Sequence, residues 1–188
     1  MIVWNLRKEF NLQNPIIVSF LHLYLSLSFY KDSLTRILSD KQLLDLFADL
    51  TELTGFRGPF ADSILTLLAN LAYHKSNKSH FLSNEQIIAI FLAVISNEGY
   101  DFKLRVRASQ FFANVIYKCA EAVTLLNKEH IVDQFFFLRK EMEREVDKLT
   151  LLTEHENEED QQKLKLTKLF LENLNKINLV FKGVVMTN

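Results

Sequence analysis

The chain has 188 residues, 48% of them hydrophobic, which is enough for one domain with a sizeable core or for a short array of repeats, and too apolar for wholesale disorder. With only 4 glycines and 2 prolines the balance favours long helices joined by short turns, an all-α class, over a sheet protein with its many glycine turns. A net charge of −1 and a pI near 6.5 lack the basic excess that binding a phosphate backbone requires, so nucleic acid is not expected as a partner.

Residues 1–14 carry Trp4, Leu6, Phe10 and Leu12 but no helix with the polar outer face of an end cap. They are read as a lead-in or the remnant of a preceding repeat. The expectation is that preceding repeats of a longer chain cover the first unit, with a contact between two copies as the alternative. Pro15 to Tyr30 is apolar and follows Arg7 and Lys8, yet it contains His22 and several serines and falls short of a bilayer span. It is expected to be a buried helix, and no membrane association is expected.

The rest of the chain is organised by a repeat, whose clearest copies start 44 residues apart, at 38, 82 and 126. Leu-Ser-Asp-Lys-Gln-Leu-Leu-Asp-Leu-Phe at 38–47 aligns without gaps to Leu-Ser-Asn-Glu-Gln-Ile-Ile-Ala-Ile-Phe at 82–91 and to Leu-Asn-Lys-Glu-His-Ile-Val-Asp-Gln-Phe at 126–135. Upstream, Leu23 and Tyr24 correspond to Leu67 and Leu68 and then to Phe111 and Phe112. Leu27, Leu71 and Val115 correspond, as do Phe29, Tyr73 and Tyr117. Downstream, Leu50, Val94 and Leu138 keep the pattern.

Within each copy the apolar positions fall at helical spacing, and the breaks predict a long helix, a short one and a second long one. In the middle copy these are expected over 59–74, 76–82 and 84–96. Asp40 and Asn84 stand where the third helix of their units needs an N-cap. The turn 54–59 separates the first two units, with Pro59 near the next helix start. A period in the forties with three helices, the middle one short, is the armadillo/HEAT pattern, in which stacking builds one continuous core. The expected architecture is an all-α, right-handed armadillo/HEAT-like solenoid of about three repeats, at 15–53, 54–97 and 98–148. An acidic loop at 149–161 and a C-terminal capping helix and tail at 162–188 follow. Thr153 to Gln162, with Glu154, Glu156, Glu158, Glu159 and Asp160, reads as a solvated loop. Leu166, Leu169, Phe170, Leu174, Ile177 and Phe181 form one face of the last helix, which should pack back on the third unit.

Candidate chemistry is sparse. His22 aligns with Thr66 and Gln110, and His130 with Gln86 and Gln42, so both histidines read as solvated. His74 and His80 lack a partner at the spacing of a helical zinc site, and neither metal nor cofactor is expected. Cys119 is the only cysteine, which excludes an intrachain disulfide and any multi-cysteine zinc site and fits a reducing compartment. It aligns with Lys75, suggesting an accessible thiol, but no local motif supplies an activating base. With no glycine-rich phosphate loop or nucleophile elbow, the chain reads as a non-enzyme.

A protein-binding face is the better reading. Third helices of such units line a concave side, and their outward positions are Gln42, Asp45 and Asp49, then Gln86, Ala89 and Ala93, then His130, Asp133 and Phe137. A helix cannot turn three consecutive side chains onto one buried stripe, so of Phe135, Phe136 and Phe137 at least one points elsewhere. Phe135 keeps the core position. Phe137 or Phe136 is expected under the C-terminal helix, with presentation to a partner as the alternative. Lys103, Arg105 and Arg107 read as a solvated basic face.

The segment 69–88, with Asn70-Leu71 ending a long helix, Asn77-Lys78 four residues past Tyr73, and Leu82-Ser83-Asn84-Glu85 opening the next helix, resembles the C-terminal repeats of the rotatin family. These are large centriolar and basal-body proteins, fly relatives included. The similarity extends over roughly 55–182, through Asn114 to Tyr117 and the last helix with Leu-Glu-Asn-Leu at 171–174. It implies a scaffold acting in centriole assembly, elongation or centriole-to-centrosome conversion. The partners it implies are other centriole assembly proteins, bound as a helix or extended peptide, in the cytoplasm at centrosomes and ciliary basal bodies. The chain departs from the family pattern at 153–162 and at Phe135 to Phe137. The rival expectation is a generic armadillo-type adaptor that binds a peptide in transport or signalling.

Overall fold

A computed structural model describes residues 15–30, 32–33, 61–117, 119, 122, 129–152 and 158–185. Among them are seven α-helices and no strand: α1 (Pro15–Leu27), α2 (Ala61–Ala72), α3 (Lys75–Ser83), α4 (Glu85–Ser96), α5 (Phe102–Ile116), α6 (Glu129–Leu152) and α7 (Glu158–Val185). The described part of the chain is all-helical. Helices α2, α3 and α4 lie within two residues, at each end, of the long, short and long helices expected over 59–74, 76–82 and 84–96. Asp40, Pro59, the turn 54–59, the lead-in 1–14 and Gln42, Asp45 and Asp49 lie outside the described residues.

The core is a stack in which α1 packs on α2, α2 on α5, and α5 on α7. Helix α2, in mid-stack, is buried nearly all round, through Ala61, Ile64, Leu65, Leu67, Leu68, Ala69, Leu71 and Ala72, because it has a neighbour on both sides. Contacts fix the directions. Asp62 meets Lys103 and Arg107 while Ala69 meets Asn114, so α2 and α5 are parallel. Phe102 meets Phe170 and Ser109 meets Asn173, so α7 is parallel to α5 in turn. The other long helices run back against this stack: Phe91 on Phe111 and Ile95 on Arg105 make α4 antiparallel to α5. Phe135 on Phe181 and Glu145 on Lys163 make α6 antiparallel to α7.

Local chemistry sets the ends. The Asn84 side chain accepts from the Ile87 N–H at 3.1 Å, the N-cap expected for α4. Asp101 caps α5 by accepting from Lys103 N–H at 2.8 Å. Between these helices the Asn97 side chain accepts from Gly99 N–H at 2.8 Å, and a Cβ on residue 99 would stand 3.0 Å from that oxygen, so the turn favours glycine. Helix α7 starts at Glu158, earlier than the expected 162. Its first turn holds Glu158, Glu159 and Asp160, carboxylates that favour a helix N-terminus, so that part of the expected loop is helical.

Asparagines tie the stack together. Asn114 Nδ2 donates to the Ala69 carbonyl at 2.9 Å. Asn70, 44 residues earlier, donates at 2.8 Å to Ser28 Oγ, which donates at 2.7 Å to the Leu25 carbonyl, the position 44 residues before Ala69. Asn173 of α7 uses the same relay through Ser109 to the Val106 carbonyl. A polar side chain in an apolar interface is tolerable only if hydrogen-bonded, and each bond fixes the axial offset of two helices. Asn114→Leu is expected to cost about 1–2 kcal/mol, since it removes one partner of a part-buried hydrogen bond and leaves the Ala69 carbonyl without it. Urea unfolding followed by circular dichroism measures this, and an unchanged midpoint would show that Asn114 sets no offset.

Candidate protein-binding face

The outward faces of α4 and α6 follow from what their inward faces bury. In α4 the buried positions are Ile87, Ile88, Phe91, Val94 and Ile95, and in α6 they are Ile131, Phe135, Leu138, Met142 and Leu149. Helical geometry then turns Ala89, Ala93, Asp133 and Phe137 to solvent, and all four are exposed. The side chains of Gln86 and His130 lie outside the described residues. Phe137 is 69% exposed.

Here an expectation fails. The C-terminal helix covers neither Phe136 nor Phe137, and both are exposed. Helix α7 crosses the opposite side of α6, where Phe135 sits 5.0 Å from Phe112 and 6.2 Å from Phe181, ring centre to ring centre. Phe136 meets Phe137 edge-on at 6.0 Å, and the Lys140 ammonium lies 4.6 Å from its ring centre, with Arg139 at 5.7 Å. One ring is shielded by cations and the next is left to solvent. Leu166 and Leu169 are half-buried against the core, and Phe170, Leu174, Ile177 and Phe181 are buried, so the last helix uses the face expected of it.

A second expectation fails at Arg105, which is only 6% exposed instead of solvated. Its Nε donates to the Ile95 carbonyl at 3.0 Å, at the C-terminal end of α4, and its guanidinium lies 6.0 Å from the Phe102 ring and 5.6 Å from the Phe170 ring. Burial lowers its pKa, opposed by Glu141 and Glu98. Arg107 and Lys103 are ion-paired to Asp62 across to α2, at 3.4 and 2.8 Å. The basic run ties helices together instead of forming a free face. Sequence reasoning had a signal for this, because Arg105 stands 44 residues after Ala61, a buried helix position.

The remaining candidates assemble no constellation. His22 is exposed, while His74 and His80 are half-buried at the two ends of α3. Cys119 is half-buried, its N–H bonded to the Ile116 carbonyl. Lys78 is buried and donates to the Tyr117 carbonyl, and burial lowers its pKa, with Cys119 acting in the other direction. No group of three or more His, Cys, Asp or Glu residues is arranged to hold a metal among the described residues. No single described helix is long and apolar enough to cross a membrane. In comparisons with known proteins, no family model, curated protein or solved structure matches this chain.

Proposed function

We propose that this chain is an armadillo/HEAT-like right-handed solenoid module and acts as a non-enzymatic protein-binding scaffold. On the resemblance carried by segment 69–88, it works within a large centriolar protein in centriole assembly, elongation or conversion, and at ciliary basal bodies. The observation that carries the solenoid reading is the pair of asparagine contacts 44 residues apart, each reaching the matching carbonyl of the preceding helix, one directly and one through a serine. Two such steps make a periodic stack whose units share one core, the basis of a repeat array. The binding reading is supported by the exposed positions Ala89, Ala93, Asp133 and Phe137 on the helices that run back against that stack. An exposed aromatic one helical turn from an exposed carboxylate on α6 suits the anchor-and-rim pattern of a helix or extended peptide in a groove.

The test is affinity capture from centriole-enriched extract on the immobilised 188-residue chain, compared with an Asp133→Lys, Phe137→Ala variant. Both positions are exposed, so the variant should fold normally. Centriole assembly proteins are expected on the parent chain and are expected to be lost from the variant. Retention by both would remove this face from the proposal, and no centriolar protein on either would remove the centriolar role.

A further inference from the structure

The outer face of α6 extends well beyond Asp133 and Phe137. Phe137, Arg144 and Leu151 follow one another at seven-residue intervals, and all three are exposed, the two apolar side chains at 69 and 71%. Seven residues are almost two turns of an α-helix and about 10.5 Å of its length. The three therefore form one line about 21 Å long that drifts by about 20° per step. It lies opposite the side that α6 buries through Phe135, Leu138, Met142 and Leu149. Most charges around the line are engaged. Arg139 pairs with Glu143 at 2.7 Å, and Glu145 with Lys163 at 3.0 Å and with Lys148 at 3.8 Å. The Lys140 ammonium lies 4.6 Å from the Phe136 ring centre. Glu141 and Asp147 stand about 60° round from Arg144, one on either side, and Glu141 acts on the buried Arg105. Arg144 makes no ion pair or hydrogen bond among the described residues.

We propose that this line is the seam for one amphipathic helix of a partner, which sets apolar side chains on Phe137 and Leu151 and a carboxylate on Arg144. The inference rests on reading α6 as a partner face and narrows what that face takes. Spacing selects a helix. Partner residues at matching seven-residue intervals stay in step with the line when the two helices cross at about 20° and wind round each other left-handedly. A helix also brings its own backbone hydrogen bonds, whereas the face of a helix offers an extended peptide no free backbone groups to pair with. Charge selects the middle residue. An unpaired guanidinium with Lys140 and Lys148 one turn away on either side favours an acid opposite it. The same charge disfavours a second copy of this chain. A register that joins both apolar residues of two copies, parallel or antiparallel, sets Arg144 against Arg144.

The pattern of apolar, acidic and apolar residues is symmetric, so a probe need assume no direction. It is a fluorescein-labelled, alanine-based peptide of about 21 residues, long enough to be helical in water, with two leucines two heptads apart and a glutamate midway. Fluorescence anisotropy with the 188-residue chain is expected to give saturable binding. Replacing the glutamate by lysine, or both leucines by alanine, should weaken it about tenfold. On the chain, Leu151→Ser should also weaken binding about tenfold, as the loss of one anchor. Arg144→Glu should reverse the preference, so that the lysine peptide binds more tightly than the glutamate peptide. Both positions are exposed, and unchanged thermal melts would confirm that folding is intact. No binding of the glutamate peptide to the parent chain overturns the proposal, as does a preference that Arg144→Glu leaves unchanged. A parent chain that is dimeric by light scattering and monomeric as Leu151→Ser assigns the line to a second copy and overturns it too. Capture of centriolar proteins that is lost in the Asp133→Lys, Phe137→Ala variant but kept by Leu151→Ser and by Arg144→Glu would remove the seam and retain the face of α4 and α6. Peptide binding as expected, with no centriolar protein captured, would support the seam and remove the centriolar role.

Discussion

Phe111→Ala is expected to destabilise the fold by about 3–5 kcal/mol, the range for removing a buried phenylalanine and leaving a cavity. Phe111 has no solvent exposure. Its ring stacks on Phe91 at 3.8 Å with 24° between planes and meets Phe81 edge-on at 5.2 Å. It thus joins α5 to both α3 and α4. Because α5 also lies between α2 and α7, the surrounding side chains are held from several sides and cannot collapse into the space. A domain of this size holds about 5–15 kcal/mol in total, so the loss is about a fifth of it at the least. Phe111→Leu should recover part of the loss by refilling volume without the ring contacts. Urea unfolding is the measurement, and a lower midpoint at unchanged slope is the expected result. A loss below about 1 kcal/mol would mean that the aromatic cluster is not what joins these helices.

The helices were legible because their apolar spacing and caps are local. The trio α2, α3 and α4 could be bounded to within two residues from periodicity, and Asn84 could be named as a cap from its place before an apolar run. What could not be read is which way a side chain faces once helices stack. Phe136 or Phe137 was expected under the last helix, but direction is set by Phe135, which takes the one position facing Phe112 and Phe181. The aromatics at 29, 73 and 117 keep their place in the repeat, yet they lie just past the helix ends, where a core pattern no longer governs burial. Leu23 matches the buried Leu67 and Phe111 but is itself exposed, since burial at that position depends on the neighbouring helix as well as on the residue. The asparagines at 70 and 114 left a trace in the sequence, a polar residue held in an apolar stretch at the repeat spacing. The matching carbonyl each one seeks lies on another helix, and no local pattern reveals it.

Arg105 supplies a test of how a charge is held inside this core, and the expected order of stability is Arg and Met close together, with Lys and Ala well below. Arg105→Ala removes the stem that packs between Phe102 and Phe170 and frees the Ile95 carbonyl, and is expected to cost about 3 kcal/mol. Arg105→Lys keeps the charge while losing the planar guanidinium that lies beside two rings. The Nε donor is lost as well, and the more strongly hydrated ammonium is costlier to bury, so a loss of about 2–3 kcal/mol is expected. Arg105→Met also frees the Ile95 carbonyl, but it fills the space and removes the cost of burying a charge, and replacing a buried charge by an apolar side chain of similar volume is often close to neutral. The argument for Met rests on how incompletely the cation is compensated. Its Nη2 is buried without a hydrogen-bond partner among the described residues, and burial already lowers its pKa against the pull of Glu141 and Glu98. A buried charge in that position stabilises little by itself, while its hydrocarbon stem and ring contacts stabilise more. Urea midpoints for the three variants decide the matter. If Lys retains stability and Met does not, the charge is the stabilising element, and the carboxylates of Glu141 and Glu98 hold Arg105 more strongly than burial opposes it.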